Sequence, residues 1–273
     1  MHSLRAGLAA LVYTLWYGIP ILVRSATGSK RLGPTCRSTP RRWATRLLRA
    51  ARVEVEIEGA ENLSSDGPHI LVANHQSWID VLALAAHLPV DYRFVAKKEL
   101  ERIPVFGPAW QACGHVSIDR GDLQSAIASL EKAGEMVRRE RPTLIMFPEG
   151  TRSPTGEVRA FKKGAFVLAI QIGAPIVPAA ILGTREIMPK GQWRIRPGRV
   201  RVRIGAPISV EGLGHGDRDT LSLTSHRAVL RLREGAPLEG PWEAVLPTPR
   251  TSGRLRRRRR SQAEDEAGDG GRK

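Results

Sequence analysis

Ile70-Leu71-Val72-Ala73-Asn74-His75-Gln76-Ser77-Trp78-Ile79-Asp80-Val81-Leu82-Ala83-Leu84-Ala85-Ala86 is the stretch that decides the fold. Four consecutive apolar residues, Ile70–Ala73, read as a strand buried on both faces, the signature of a parallel sheet. Val81–Ala86 is built of good helix formers. A histidine and an aspartate therefore sit where a strand hands over to a helix, the usual place for ligand chemistry in an open α/β sheet. On a regular helix, a spacing of five turns two side chains about 140° apart at roughly 3.6 residues per turn. His75 and Asp80 can meet only if His75 precedes the helix and Asp80 lies one turn inside it. Asp80 would then accept the proton on one ring nitrogen and leave the other as a base. A plainer reading has His75 capping the helix and Asp80 complementing its dipole. The heptapeptide alone leaves both open.

Outward from this unit, the chain reads as alternating strands and helices. Val53-Glu54-Val55-Glu56-Ile57-Glu58 alternates strictly, as a half-exposed strand does. Further strands are expected at Tyr92–Ala96, Val116–Ile118, Thr143–Phe147 and from Ala174 to Leu182. Helices are expected from Asp122, as cap, to about Glu140, and from about Lys163 to Ile172. Val200–Ile204 alternates with arginines and reads as an edge strand. The expected fold is α/β, a mainly parallel sheet flanked by helices, preceded by an N-terminal membrane-docking helical segment. Its divisions are 1–51 for anchor and amphipathic helix, 52–245 for the α/β domain, and 246–273 for a disordered basic and acidic tail.

Residues 6–23 carry no charge, and Arg5 precedes them; Arg24, Lys30, Arg31, Arg37, Arg41 and Arg42 follow. Eighteen residues are marginal for crossing a bilayer, and Gly18 with Pro20 interrupts them. The basic flank predicts attachment to the cell membrane with the downstream chain on the cytoplasmic face. Residues 41–51 form a basic amphipathic helix that could lie on the membrane. A cleaved signal peptide also has a short apolar run, but a basic flank and two cysteines read as free thiols, Cys36 and Cys113, argue against export.

The net charge of +16 over 273 residues is unusual. Residues 249–273 hold nine Lys/Arg and four Asp/Glu, so the tail supplies +5 and the rest of the chain +11. Such a surface calls for an anionic partner. Nucleic acid is not expected, because the Arg256–Arg260 run has no aromatic residue to stack on bases. An anionic membrane surface is.

Three more stretches bear on chemistry. Phe147-Pro148-Glu149-Gly150-Thr151-Arg152-Ser153 follows a strand end, with a glycine for close backbone approach and an arginine that can grip a phosphate. Gly114-His115-Val116-Ser117-Ile118-Asp119-Arg120 places a second arginine past another strand end. Ala174-Pro175-Ile176-Val177-Pro178-Ala179 suits a wall rather than proton transfer. Singly, each could be structural.

In this order the four stretches resemble the blocks of the glycerolipid acyltransferase family, specifically its 1-acylglycerol-3-phosphate acyltransferases. Those blocks are His-x4-Asp, a block ending in arginine, Glu-Gly-Thr-Arg, and a proline-containing apolar block. Here they span residues 74–179, under half the chain, and Phe161-Lys162-Lys163-Gly164-Ala165 is also family-like. His115-Val116-Ser117 departs from the bulkier apolar residues usual in the second block. The resemblance implies that His75, oriented by Asp80, deprotonates the hydroxyl of a lysophospholipid acceptor, which attacks the thioester of an acyl donor. The donor would be acyl-CoA or acyl-carrier protein, a co-substrate, with no cofactor and no metal. Glu149, Gly150, Thr151 and Arg152 would bind the acceptor, with Arg120, Arg152 and Lys97 at its phosphate. The product would be phosphatidic acid. The same blocks also allow another lysophospholipid or a lyso-aminolipid as acceptor. From a different class, an inert basic membrane- or nucleic-acid-binding protein is the remaining alternative, though such a module has no need of both His75 and Asp80.

Overall fold

The computed structural model describes residues 2–63, 67–119, 121–240 and 242. Helix α1 (His2–Ala26) and helix α2 (Leu32–Ala50) come first, then strand β1 (Val53–Glu58). Strand β2 (Ile70–Ala73) leads into α3 (Trp78–His87), and β3 (Tyr92–Lys97) into α4 (Phe106–Ala112). Strand β4 (Val116–Ile118), α5 (Leu123–Glu140), β5 (Thr143–Met146) and α6 (Gly164–Ile172) follow. Strand β6 (Ile176–Leu182), the short α7 (Thr184–Ile187), β7 (Gly198–Ile204) and α8 (Arg218–Arg233) complete the described chain.

Among the described residues, seven strands form a sheet ordered β1-β7-β6-β2-β5-β3-β4. All four residues of β2 are buried, between β5 on one side and β6 on the other, both parallel to it. Central position and double burial are what a continuous apolar run predicts. The turn to β7 reverses direction: β6 and β7 are antiparallel, and β1 runs parallel to β7. The α/β expectation, with a mainly parallel sheet flanked by helices, agrees with this architecture.

One strand is placed differently. Val200–Ile204 was expected at an edge, yet β7 lies between β1 and β6, and β1 takes the edge. Arg199 and Arg201 point outward while Arg203 is largely covered, and each meets a glutamate of β1: Arg199 with Glu54 at 3.1 Å, Arg201 with Glu56 at 3.3 Å, Arg203 with Glu58 at 2.8 Å. Alternation reports that one face is solvated, which is equally true of an inner strand whose partner carries opposite charges.

Helix α2 differs from a membrane-surface helix. Its buried residues Ala44, Leu47 and Leu48 belong to the protein interior, with α3 and β1 packed against it. Arg41 is also turned inward: its guanidinium donates to the carbonyls of Leu88 and Val90 and lies 5.4 Å over the Tyr92 ring. The exposed apolar surface is on α1 instead. Leu4, Leu8, Leu11, Val12, Leu15, Trp16, Ile19 and Val23 are all exposed and recur at helical spacing along one face. The opposite face of α1 packs on α2 and α4, and Trp43 donates to the Thr14 hydroxyl at 3.2 Å.

The two cysteines are not free. Cys36 of α2 and Cys113 at the end of α4 form a disulfide with Cα atoms 5.1 Å apart, in a small apolar cluster with Ile21 and Ala109. The cysteines therefore lend no support to a reducing compartment, nor do they argue against export. The expected tail at 246–273 lies outside the described residues.

Candidate active site

The parallel strands end on one edge of the sheet, and the candidate residues gather there. Asn74 fixes that edge: its amide donates to the Ile181 carbonyl and accepts from the Ile181 amide, both at 2.8 Å, tying β2 to β6 with no exposure to water. His75 follows in the turn. Ser77, not His75, caps α3, accepting from the Ile79 amide at 3.2 Å and donating to the Met188 carbonyl at 2.7 Å. Its hydroxyl is spent on this double role.

His75 Nδ1 lies 2.8 Å from Asp80 Oδ2. The same oxygen accepts from the backbone amides of Gln76 at 2.7 Å and Ser77 at 2.8 Å. Asp80 is fully buried. With two amides already donating to it, Oδ2 is an obligate acceptor, so the third donor must be Nδ1–H, and Nε2 is left as the unprotonated nitrogen. The cap that the heptapeptide offered falls to Ser77 rather than His75, and Asp80 both completes that cap through the Ser77 amide and holds the His75 ring. The imidazole stacks on Phe147, ring centroids 4.1 Å apart, which holds its plane.

Glu149 is placed otherwise than an acceptor-binding residue would be. It is buried; Oε1 accepts from the His75 amide at 2.7 Å and Oε2 from the Arg159 amide at 3.0 Å. Burial raises its pKa, against the pull of those two amides. Ser153 completes the grip, its amide donating to the His75 carbonyl at 2.7 Å. The third block thereby holds the backbone of the first. Sequence reasoning missed this role, because no spacing tells which amide a carboxylate 74 positions away will meet.

Gly150 has φ +76°, and a Cβ there would stand 2.8 Å from Lys162 Cε, so only glycine fits this turn without strain. Thr151 accepts from Lys190 Nζ at 3.2 Å. Arg152 lies with its guanidinium 5.2 Å from the Trp78 ring centroid, close enough to feel the Asp80 charge. Lys97 ends β3 on the same edge, half-exposed and 3.9 Å from Glu99. Arg120 lies outside the described residues. His115 turns inward: Nδ1 accepts from the Phe94 amide at 3.1 Å, and its ring packs 4.2 Å from Trp110. Desolvation holds it well below an ordinary imidazole pKa, so the departure from the usual second block is filled by a neutral packing group.

Two apolar cavities flank this edge. One lies under α1, α2 and α4 and is lined by Tyr17, Gly18, Trp43, Phe106 and Trp110. The other, about 740 Å³, runs between α5 and α6 and is walled at the site by Phe147 and Pro148.

Fold and site together define an α/β protein that presents a buried-aspartate histidine at the carboxyl edge of a parallel sheet. The family described as "Acyltransferase" matches residues 54–182. A chloroplastic 1-acyl-sn-glycerol-3-phosphate acyltransferase of Brassica napus is 42% identical over 157 residues, 57% of this chain and 45% of that protein. The 1-acyl-sn-glycerol-3-phosphate acyltransferase of Saccharomyces cerevisiae is 39% identical over 163 residues, 59% of this chain and 54% of that protein. The chain thus spans about half the length of these curated relatives. The crystal structure of the 1-acyl-sn-glycerophosphate acyltransferase PlsC from Thermotoga maritima superposes with a TM-score of 0.71 at 31% identity, over 85% of this chain and 95% of that one. The chain belongs to the acyltransferase family.

Proposed function

We propose that the protein transfers an acyl group from the thioester of acyl-CoA or acyl-carrier protein to the 2-hydroxyl of 1-acylglycerol-3-phosphate, giving phosphatidic acid. The observation that carries this reading is the His75–Asp80 contact at 2.8 Å, with Asp80 locked by two backbone amides. Nε2 takes the proton of the acceptor hydroxyl as its oxygen attacks the thioester carbonyl. The buried Asp80 carboxylate stabilises the imidazolium that forms. Collapse of the tetrahedral intermediate expels the thiolate, which takes that proton back, and the base is regenerated. Transfer is direct, since the Ser77 hydroxyl is committed to the α3 cap and to Met188.

Arg152, with Arg120 and Lys97, would pair with the acceptor phosphate; Gly150 and Thr151 shape the turn beside it. Glu149 acts through His75, as a positioning residue. The similarity to proteins named 1-acyl-sn-glycerol-3-phosphate acyltransferases supports this choice of acceptor. The reaction uses no metal or cofactor. Nucleic acid has no part in it.

The membrane is the second component of the proposal. The exposed apolar face of α1 would lie in one leaflet of the cell membrane, on the cytoplasmic side, while its other face stays on α2 and α4. Residues 1–51 would form the anchoring hairpin, attached through α1 with α2 as its support on the domain, 52–245 the catalytic domain and 246–273 a tail near anionic headgroups.

Free-thiol release from acyl-CoA, measured on purified protein with phosphate-bearing, zwitterionic and uncharged lyso-acceptors, tests the substrate. Turnover on 1-acylglycerol-3-phosphate, reduced more than tenfold by Arg152→Ala mainly through KM, is expected. Turnover confined to another acceptor would move the substrate and spare the chemistry.

A further inference from the structure

Between α7 and β7 the chain makes a surface loop, Met188-Pro189-Lys190-Gly191-Gln192-Trp193-Arg194-Ile195-Arg196-Pro197. Trp193 at its tip is 86% exposed, above even Leu4 at 79% and Trp16 at 72% on the apolar face of α1. An indole held out in water is costly unless something covers it, and Trp is the residue that suits the headgroup level of a bilayer. Lys190, Arg194 and Arg196 flank it, and no acidic residue lies between Ile187 and Gly198. Glu186, one position earlier, shares a polar recess with Arg196, which leaves Lys190 and Arg194 as the loop's outer cations.

The loop is tied at one end to α1 and at the other to the turn that carries Arg152. At one end, the Ile195 amide donates to the Ser3 hydroxyl at 3.1 Å, and that hydroxyl donates back to the Ile195 carbonyl at 3.2 Å. This fixes the loop to the first turn of α1, where His2 also meets the Ala51 carbonyl at 3.1 Å. At the other end, Lys190 Nζ donates to the Thr151 hydroxyl at 3.2 Å, on the turn that carries Arg152. Because β7 runs against the parallel strands, its start shares the sheet edge with His75.

We propose that loop 188–197 is a second lipid-contacting element, with Trp193 in the headgroup region and Lys190 and Arg194 on anionic headgroups. It rests on the reading that α1 lies in the membrane, and its continuity with the α1 face is what argues for a lipid surface over a protein partner. The bilayer then meets the protein along a line from the exposed face of α1, through Trp193, to the mouth of the site. A lysolipid acceptor reaches His75 along that line without leaving the headgroup layer.

The test uses the full chain with vesicles of phosphatidylcholine, alone or with phosphatidylglycerol, carrying lipids brominated near the headgroup. The difference in emission between the protein and Trp193→Phe isolates the Trp193 indole; Trp16→Phe does the same for α1. Blue-shifted, bromine-quenched Trp193 emission is expected. Lys190→Gln and Arg194→Gln should each weaken partitioning into anionic vesicles about fivefold, from roughly 1 kcal/mol per basic residue, and leave neutral vesicles unaffected. Quenching of Trp16 with Trp193 unshifted and unquenched would overturn the inference and spare the α1 reading. If neither indole is quenched, the membrane reading of α1 fails and this inference falls with it.

Discussion

Asp80 makes three hydrogen bonds through one oxygen, and the account of the site rests on that crowding. A carboxylate oxygen already receiving two backbone amides leaves the His75 ring no choice of tautomer. That the two could pair was legible from the spacing, since His-x4-Asp can meet across a strand-to-helix turn, and the family resemblance favoured that reading over a simple cap. The role of Glu149 was not legible. The family resemblance implied acceptor binding, whereas its two carboxylate oxygens accept from the His75 and Arg159 amides and brace the His75 backbone. Burial raises the Glu149 pKa, so the native state holds its proton more tightly than the unfolded chain does. The contribution of this group to stability is then full at pH below the unfolded carboxylate value of about 4.3, and is lost as pH rises through the raised native one. Glu149→Gln removes this slope. Melting curves over that pH range should show the native protein losing stability with rising pH relative to the variant. Parallel curves would contradict the assignment.

At the scale of elements, strict alternation and unbroken apolar runs were enough to place β1, β2, β3, β4, β5 and β6 within a residue or two. The position of β7 and the helices α7 and α8 escaped, and α2 begins at Leu32, well before the expected residue 41. The position of β7 depends on which strand pairs with it, information carried by the glutamates of β1 145 residues earlier. Helix α8 has no clear apolar stripe, since its buried face includes Ser222, Thr224 and Ser225 beside Leu221, Val229 and Leu232. The four ion pairs between β1 and β7, with Arg201 meeting both Glu56 and Glu58, are unequal. Arg199 and Glu54 are exposed, whereas the Arg203 side chain is 12% exposed and also donates to the carbonyls of Leu232 and Ala236. Arg203→Ala should therefore cost about 2 kcal/mol, as loss of buried hydrogen bonds to a charged group does. Arg199→Ala should cost under about 1 kcal/mol. Equal losses in chemical denaturation would show that the ladder acts by charge alone.

Across the whole molecule, the helical hairpin of α1 and α2 is joined to the α/β domain by packing, by Arg41 and by the Cys36–Cys113 bond. The bond spans 77 residues, a separation no motif encodes. Loop-closure entropy for a span of that size is worth about 4 kcal/mol. Cys36→Ser with Cys113→Ser should lower the melting temperature clearly, as should dithiothreitol on the native chain but not on the variant. An unchanged melting temperature would deny the bond a structural part. The hairpin and domain are thus tied together, and in the proposed membrane arrangement the carboxyl edge of the sheet would sit at a fixed height above a leaflet. In the proposed reaction, catalysis comes down to a single nitrogen, His75 Nε2. The direct measurement is thiol release from acyl-CoA in the presence of 1-acylglycerol-3-phosphate by His75→Ala, alongside its melting curve. General-base catalysis predicts a fall of at least ~100-fold in kcat with melting unchanged. Turnover within a few fold of the native protein, in a variant that remains folded, would contradict it.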